Sequence, residues 1–445
     1  MKTNTRNNRP GAPNFHGIKG PAMSRLDELR RTLSACLLWE DGFYEDGAAV
    51  ADRIAALARD ESLATDDLAK LAIEARNDLK LRHAPLWLTV GMSESPRHRR
   101  ALGTLLPAII QRTDELPEFL SLYWKGGKRP LAAQIKKGLA AAFRRFNAFQ
   151  LAKYDRDAPV KLRDVLFLCH AKPANEEQAA IWKQLVDGTL PVPDTWETAV
   201  SAAGSDAAAK NAVWRRLLDE NKLGALALLR NLRNLQAAKV PARLVEERLA
   251  TADVSRILPF RFIAANRNAG WPALEPALEA ALFKSCEALP RLLGTTAILV
   301  DVSDSMNAQL SAKSDMTRID AACGLAMVAR ECCERVRVFA FSNWPEAARE
   351  AAPRRGFALA EAIAYSGPHR GTLLGRAVTA VNARPDIGRL IVVTDEESHD
   401  TVPGPRGKGI MINVSTDRHM VGWGPWTRIA GFSENVFRFL QAIDA

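Results

Sequence analysis

The texture of this chain changes once, near Gly294, and that change sets what it can fold into. From about Ser24 to Leu289, Ala, Leu, Arg and Glu dominate and β-branched runs are scarce. Breaks fall at Asp41-Gly42, Gly91 to Pro96, Gly126-Gly127, Pro159, Pro173, Pro191 to Pro193, Gly204, Pro241 and Asn268 to Pro272. Between them lie segments with helical periodicity, such as residues 27–38 and 177–186. A run of helix pairs without strand signals points to an α-solenoid, although no repeat period is visible. Beyond Gly294, residues 295–301 (TTAILVD) form a short apolar run ending in an acid. Strand-like runs follow at 336–341, 390–394 and 410–414, interleaved with helical stretches at 317–333, 359–365 and 373–382. Strands alternating with helices predict a parallel sheet covered on both faces, with ligands bound outside the carboxyl ends of the strands. The expected class is therefore α followed by α/β.

A length of 445 residues leaves room for two or three domains, and 47% hydrophobic with 25% charged content excludes global disorder. The expected divisions are a disordered basic tail over 1–22, a helical domain over 23–290 and a sheet domain over 291–445. No uncharged apolar run reaches the roughly 18 residues of a membrane-spanning helix. Residues 1–20 lack the apolar core of a secretory signal. The six cysteines show neither C-x-x-C nor zinc spacing, which predicts reduced thiols in a cytoplasmic protein. Cys169 reads as a small core residue rather than a nucleophile. The net charge of +10 is uneven: residues 1–290 hold 43 Lys/Arg against 34 Asp/Glu, and residues 291–445 hold 18 against 17. An acidic partner should therefore meet the first two-thirds of the chain.

Two sets of residues carry chemistry. Asp301-Val302-Ser303-Asp304-Ser305 directly follows an apolar strand, and its alternation offers the Asp301 carboxylate with the Ser303 and Ser305 hydroxyls to a hard cation. Thr372, at the start of a helical stretch, adds a hydroxyl, while Asp395 and Glu396 end another apolar strand. An all-oxygen donor set suits Mg²⁺ or another divalent cation better than helix capping alone does. The second set lies in residues 119–154, which contain no Asp or Glu and eight bases: Lys125, Lys128, Arg129, Lys136, Lys137, Arg144, Arg145 and Lys153. On a helix from Leu131, Ile135, Leu139, Ala142, Phe146 and Phe149 fall in one apolar arc. Lys137 and Arg144 lie opposite it, and Lys136 and Arg145 on its shoulders. Such a stripe suits phosphate binding, and Tyr123 and Trp124 are candidates to stack on bases, whereas Phe143 should pack inside. A second acid-free run, residues 221–245, is read equally well as phosphate contact or as polar contacts between helices. On periodicity alone, His170 reads as a core or capping residue.

Residues 301–306 (DVSDSM) with Thr372 and Asp395 resemble the metal-ion-dependent adhesion site of a von Willebrand factor A domain. Residues 163–173 (RDVLFLCHAKP), 223–236 (LGALALLRNLRNLQ), 257–264 (ILPFRFIA), 277–284 (ALEAALFK), 338–343 (VFAFSN) and 431–433 (GFS) resemble segments of TROVE-module proteins, the Ro autoantigen family. The resemblance implies a ring-like set of HEAT-type helical repeats followed by the A domain. It implies binding of small noncoding Y RNAs and of structured RNAs with single-stranded ends, and work beside an exoribonuclease such as polynucleotide phosphorylase. It also turns His170 and Lys153 into expected RNA contacts. The chain departs from the family's usual Gly-Gly-Thr-Asp-like loop, reading Arg370-Gly371-Thr372-Leu373, which sets Arg370 beside the expected ion. The reading favoured is thus an RNA-binding scaffold with no catalytic residues. The alternatives are a metal-dependent protein-binding module on a helical platform, and a metal-dependent nuclease, which would call for a denser carboxylate cluster.

Overall fold

The computed structural model describes residues 24–34, 47–310, 316–415, 425–431, 433 and 435–444; the expected tail over 1–22 and the break at Asp41-Gly42 lie outside these. Everything described up to Cys286 is helical or loop, and the first strand begins at Leu292. The chain forms two compact units, however, that do not divide there. Of the described residues, one comprises 51–222 with 28–33, and the other those from 223 onward with 24–27, 34 and 47–50.

In the first unit the helices are short and paired through apolar faces. Gly91 does not break a helix, as its position beside Pro96 suggested. It lies inside the helix Ala84–Glu94, where any Cβ would overlap the Ala55 backbone, so glycine here permits a close helix crossing. The helix Ala133–Phe143 buries Ile135, Leu139 and Ala142, as the arc predicts, with Phe143 beside them, and Phe146 of the arc is buried as well. The arc does not run on to Phe149. Asn147 and Gln150 form a reciprocal cap, with Gln150 N–H donating to Asn147 Oδ1 at 2.9 Å and Asn147 N–H donating to Gln150 Oε1 at 3.1 Å. That cap starts a new helix, Ala148–Tyr154, and leaves Phe149 half exposed.

The second unit is built on a six-stranded sheet ordered β3-β2-β1-β4-β5-β6. The strands are β1 Leu292–Asp301, β2 Cys333–Phe341, β3 Arg349–Glu350, β4 Arg389–Thr394, β5 Lys408–Asn413 and β6 Trp426–Ala430. All pairings are parallel except β2 with β3, so the sheet is mixed at one edge, a strand too short to leave a sequence signal. The central strands are buried on both faces, which is why β1 and β4 read as continuous apolar runs. The helix Leu374–Asn382 covers one face with Leu374, Ala377, Val378 and Val381 against Leu299, Phe339 and Val392. The helix Arg318–Cys332 is buried along nearly its whole length. A Cβ on Gly324 in that helix would overlap Phe260, so the helix Phe260–Ala269 seats directly upon it. That packing, with the helix Glu275–Cys286 beside it, is why the compact unit starts near Leu223 rather than at the expected 291.

Candidate functional site

Successive strands run outward from β1 to β2 and β3 on one side and to β4, β5 and β6 on the other. The order therefore reverses between β1 and β4, and the crevice at their carboxyl ends is the natural ligand position. Register fixes what stands there. Val300 pairs with Val393, so Asp301 and Asp395 leave neighbouring strands side by side, both fully buried. Asp301 Oδ2 accepts from Thr394 Oγ1 at 2.6 Å and Oδ1 accepts from Ser303 N–H at 2.9 Å. Burial, and then the charge of Asp395, push the Asp301 carboxyl up to about 7. Two carboxyls facing each other in a dry pocket call for a positive charge.

The loops bring in hydroxyls. Ser303 Oγ and Ser305 Oγ stand 3.2 Å apart. Adjacent corners of an octahedron with bonds of about 2.1 Å are separated by about 3 Å, so this pair fits one Mg²⁺-sized ion. Thr372 is buried, and its loop is tied to the site from both sides: Asp304 N–H donates to Arg370 O at 3.1 Å, and Ser342 Oγ donates to Gly371 O at 3.2 Å. The structure thus brings Asp301, Ser303, Ser305, Thr372 and Asp395 to one end of the sheet. Among the described residues, no group of three or more His, Cys, Asp or Glu gathers in metal-holding geometry, so the two carboxyls here stand among hydroxyls rather than in a carboxylate cluster.

The arginine expected beside the ion is not the one found. Arg370 is exposed and holds the loop through its backbone, its N–H donating to Ser342 Oγ at 3.0 Å. Arg318 enters instead, with Nη1 3.1 Å from Asp395 Oδ2 and 3.4 Å from Ser305 O. Its position is legible in retrospect. Thr317 and Asp320 form a capping box, which places Arg318 on the first turn of its helix.

In the first compact unit the basic residues divide into two groups. Lys125 pairs with Asp52 at 3.0 Å and Arg129 approaches Glu94 at 3.9 Å. Arg144 Nε donates to Lys172 O at 2.7 Å, and Arg145 donates to Pro107 O. Lys128 lies 5.9 Å from the centre of the Trp124 indole. Lys136, Lys137 and Lys153 form no ion pair among the described residues, and Lys137 is exposed. Tyr123 is not available to stack on a base: it is buried, donates to Pro130 O at 3.1 Å and carries Arg129 4.0 Å from its ring centre. Phe143 packs inside against Trp182, as expected.

His170 is exposed rather than packed in a core, and its backbone is left-handed, with φ 53°. It follows the helix Leu162–Leu168, while Lys153 lies near the end of Ala148–Tyr154. Each has an exposed phenylalanine about one turn earlier: Phe149, 49% exposed, before Lys153, and Phe167, 59% exposed, before His170. Sequence reasoning missed both, since phenylalanine in a helical pattern reads as core. The five cysteines among the described residues are buried and unbridged, Cys169 included, and burial pushes its thiol up.

With this geometry in view, the comparisons are specific. The model of the TROVE domain family matches residues 188–271. The match covers one segment of the chain, and the fold around it is the fold of a Ro protein. The crystal structure of the Ro (RSR) protein of Deinococcus radiodurans superposes with a TM-score of 0.69, covering 94% of this chain and 99% of that one at 19% identity. Mouse telomerase protein component 1 is 41% identical over 80 residues, which are 17% of this chain and only 3% of that protein. The TROVE match includes the segments 223–236 and 257–264, while the crevice residues and the pair Lys153 and His170 lie outside it.

Proposed function

We propose that this TROVE protein is an RNA-binding scaffold without catalysis of its own. It would hold small noncoding, Y-like RNA and structured RNAs with single-stranded ends, in cytoplasmic RNA quality control or decay. An exoribonuclease of the polynucleotide phosphorylase kind is the partner such a scaffold would serve. The observation that carries this reading is the pairing of cations with exposed aromatics, the half-buried Lys153 with Phe149 and the exposed His170 with Phe167. Unpaired bases are recognised by stacking and their phosphates by cations, so both contacts a single strand needs stand on each segment. Lys136 and Lys137 supply sequence-independent charge for duplex backbone.

The crevice residues fit a divalent cation. Asp301, Ser303, Ser305, Thr372 and Asp395 would hold it, directly or through water, and such an ion would supply a Lewis-acidic point for an oxygen ligand. A donor set this rich in hydroxyls suits recognition better than two-metal hydrolysis.

The test compares an RNA carrying a 3′ single-stranded tail with the same duplex made blunt. The full chain should prefer the tail, and Lys153→Ala with His170→Ala should erase the preference while leaving duplex binding mostly intact. With Mg²⁺ present, both RNAs should remain full length. Equal affinity for the two RNAs would remove these residues from the site, and degradation lost in Asp301→Ala would promote a nuclease.

A further inference from the structure

The crevice contains a cation of its own. Arg318 is held in place from several directions: its N–H donates to Ala308 O at 3.0 Å, and the Thr317–Asp320 capping box fixes the turn it stands on. Its side chain is only 10% exposed and its partner Asp395 is fully buried. Asp395 has both oxygens engaged, Oδ2 by Arg318 Nη1 at 3.1 Å and Oδ1 by Glu397 N–H at 3.1 Å. Asp301 has both engaged as well, by Thr394 and Ser303. Two buried carboxylates are thus satisfied by hydrogen bonds and one guanidinium, a state that needs no added ion. The same guanidinium lies 3.4 Å from Ser305 O, beside the paired hydroxyls that a hard ion would use.

We propose that Arg318 is the affinity-determining residue of this cation site, a tethered positive charge that competes with a divalent ion for the Asp395 carboxylate. An incoming ion meets a like charge in a pocket of low dielectric, and it gains Asp395 only as Arg318 lets go. The site of this chain is therefore weak for Mg²⁺ by construction, and fills when the local concentration of the ion is high or when a bound acidic group draws Arg318 away. This inference rests on the cation reading of the crevice and is independent of the RNA reading.

The test titrates the full chain with Mg²⁺ by calorimetry and follows its thermal midpoint with and without the ion. Arg318→Gln keeps a donor for Asp395 and removes the charge. It should bind Mg²⁺ at least tenfold more tightly than the native chain, unfold at a lower temperature without the ion, and gain more from its addition. Arg318→Lys, which keeps the charge, should bind Mg²⁺ about as weakly as the native chain. Equal or weaker binding by Arg318→Gln overturns the proposal while leaving the cation site in place. Absence of binding in both the native chain and Arg318→Gln overturns the cation site and this proposal together. If Arg318→Gln does not fold in ion-free buffer, MgCl₂ should restore its folding and NaCl of equal ionic strength should not; failure of that rescue also overturns the proposal.

Discussion

His170 combines an exposed imidazole with a left-handed backbone, φ 53°, that most side chains avoid. The left-handed region costs a residue with a Cβ roughly 1–2 kcal/mol, and glycine none of it. His170→Gly should therefore stabilise the fold by up to about 1 kcal/mol, and His170→Val should destabilise it by about 1–2 kcal/mol. Both should lose the preference for tailed RNA, so chemical denaturation and RNA binding should move apart. Equal destabilisation by the two would mean that the imidazole packs and the strain is incidental. At this scale legibility was uneven. Asp301 could be read because an acid at the end of a buried strand has few other uses. His170 becomes a candidate only through resemblance, since nothing in Cys169-His170-Ala171 announces positive φ. For Arg318 the capping box marks its place on the helix but not its partner, because Asp395 is 77 residues away and reaches it only through sheet register.

For the helices, the 3.6-residue wheel was accurate while the helix lasted. Ile135, Leu139, Ala142 and Phe146 are all buried, and the wheel fails only at Phe149, beyond the turn 144–147 where the chain changes direction. The signal for that turn was present as Asn147 with Gln150 three residues later, a capping pattern that the run of small and apolar residues obscured. The turn also alters which bases are free to meet phosphate, since Arg144 and Arg145 each donate to a backbone carbonyl. Lys136→Glu with Lys137→Glu is thus the cleaner reversal. The native chain should lose RNA affinity steeply as salt rises, and the double variant should flatten the slope of log affinity against log salt by about 0.9 per lost duplex phosphate contact. A slope that does not change would take these two lysines out of the interface.

Across the whole molecule, the change from helix to strand and the division into compact units fall at different places. Composition can locate the first, because periodicity switches near Gly294, but not the second, which depends on which helices the sheet's own helices need as cover. The helices Phe260–Ala269 and Glu275–Cys286 belong with the sheet, with Phe260 against Gly324 and Glu279 accepting from Phe357 N–H at 2.8 Å. A truncation beginning at Leu223 should be soluble and unfold cooperatively. One beginning at Arg291 should expose the apolar face around Gly324 and aggregate, as size-exclusion chromatography and thermal melts would show. If the shorter piece is equally well behaved, the helices are accessories rather than part of that core. The TROVE match, residues 188–271, straddles the division at Lys222. What matches as one segment is therefore built into two bodies. A chimera that exchanged only that segment with a relative would put foreign residues into two cores at once, and each core would have to accept its half of the graft independently.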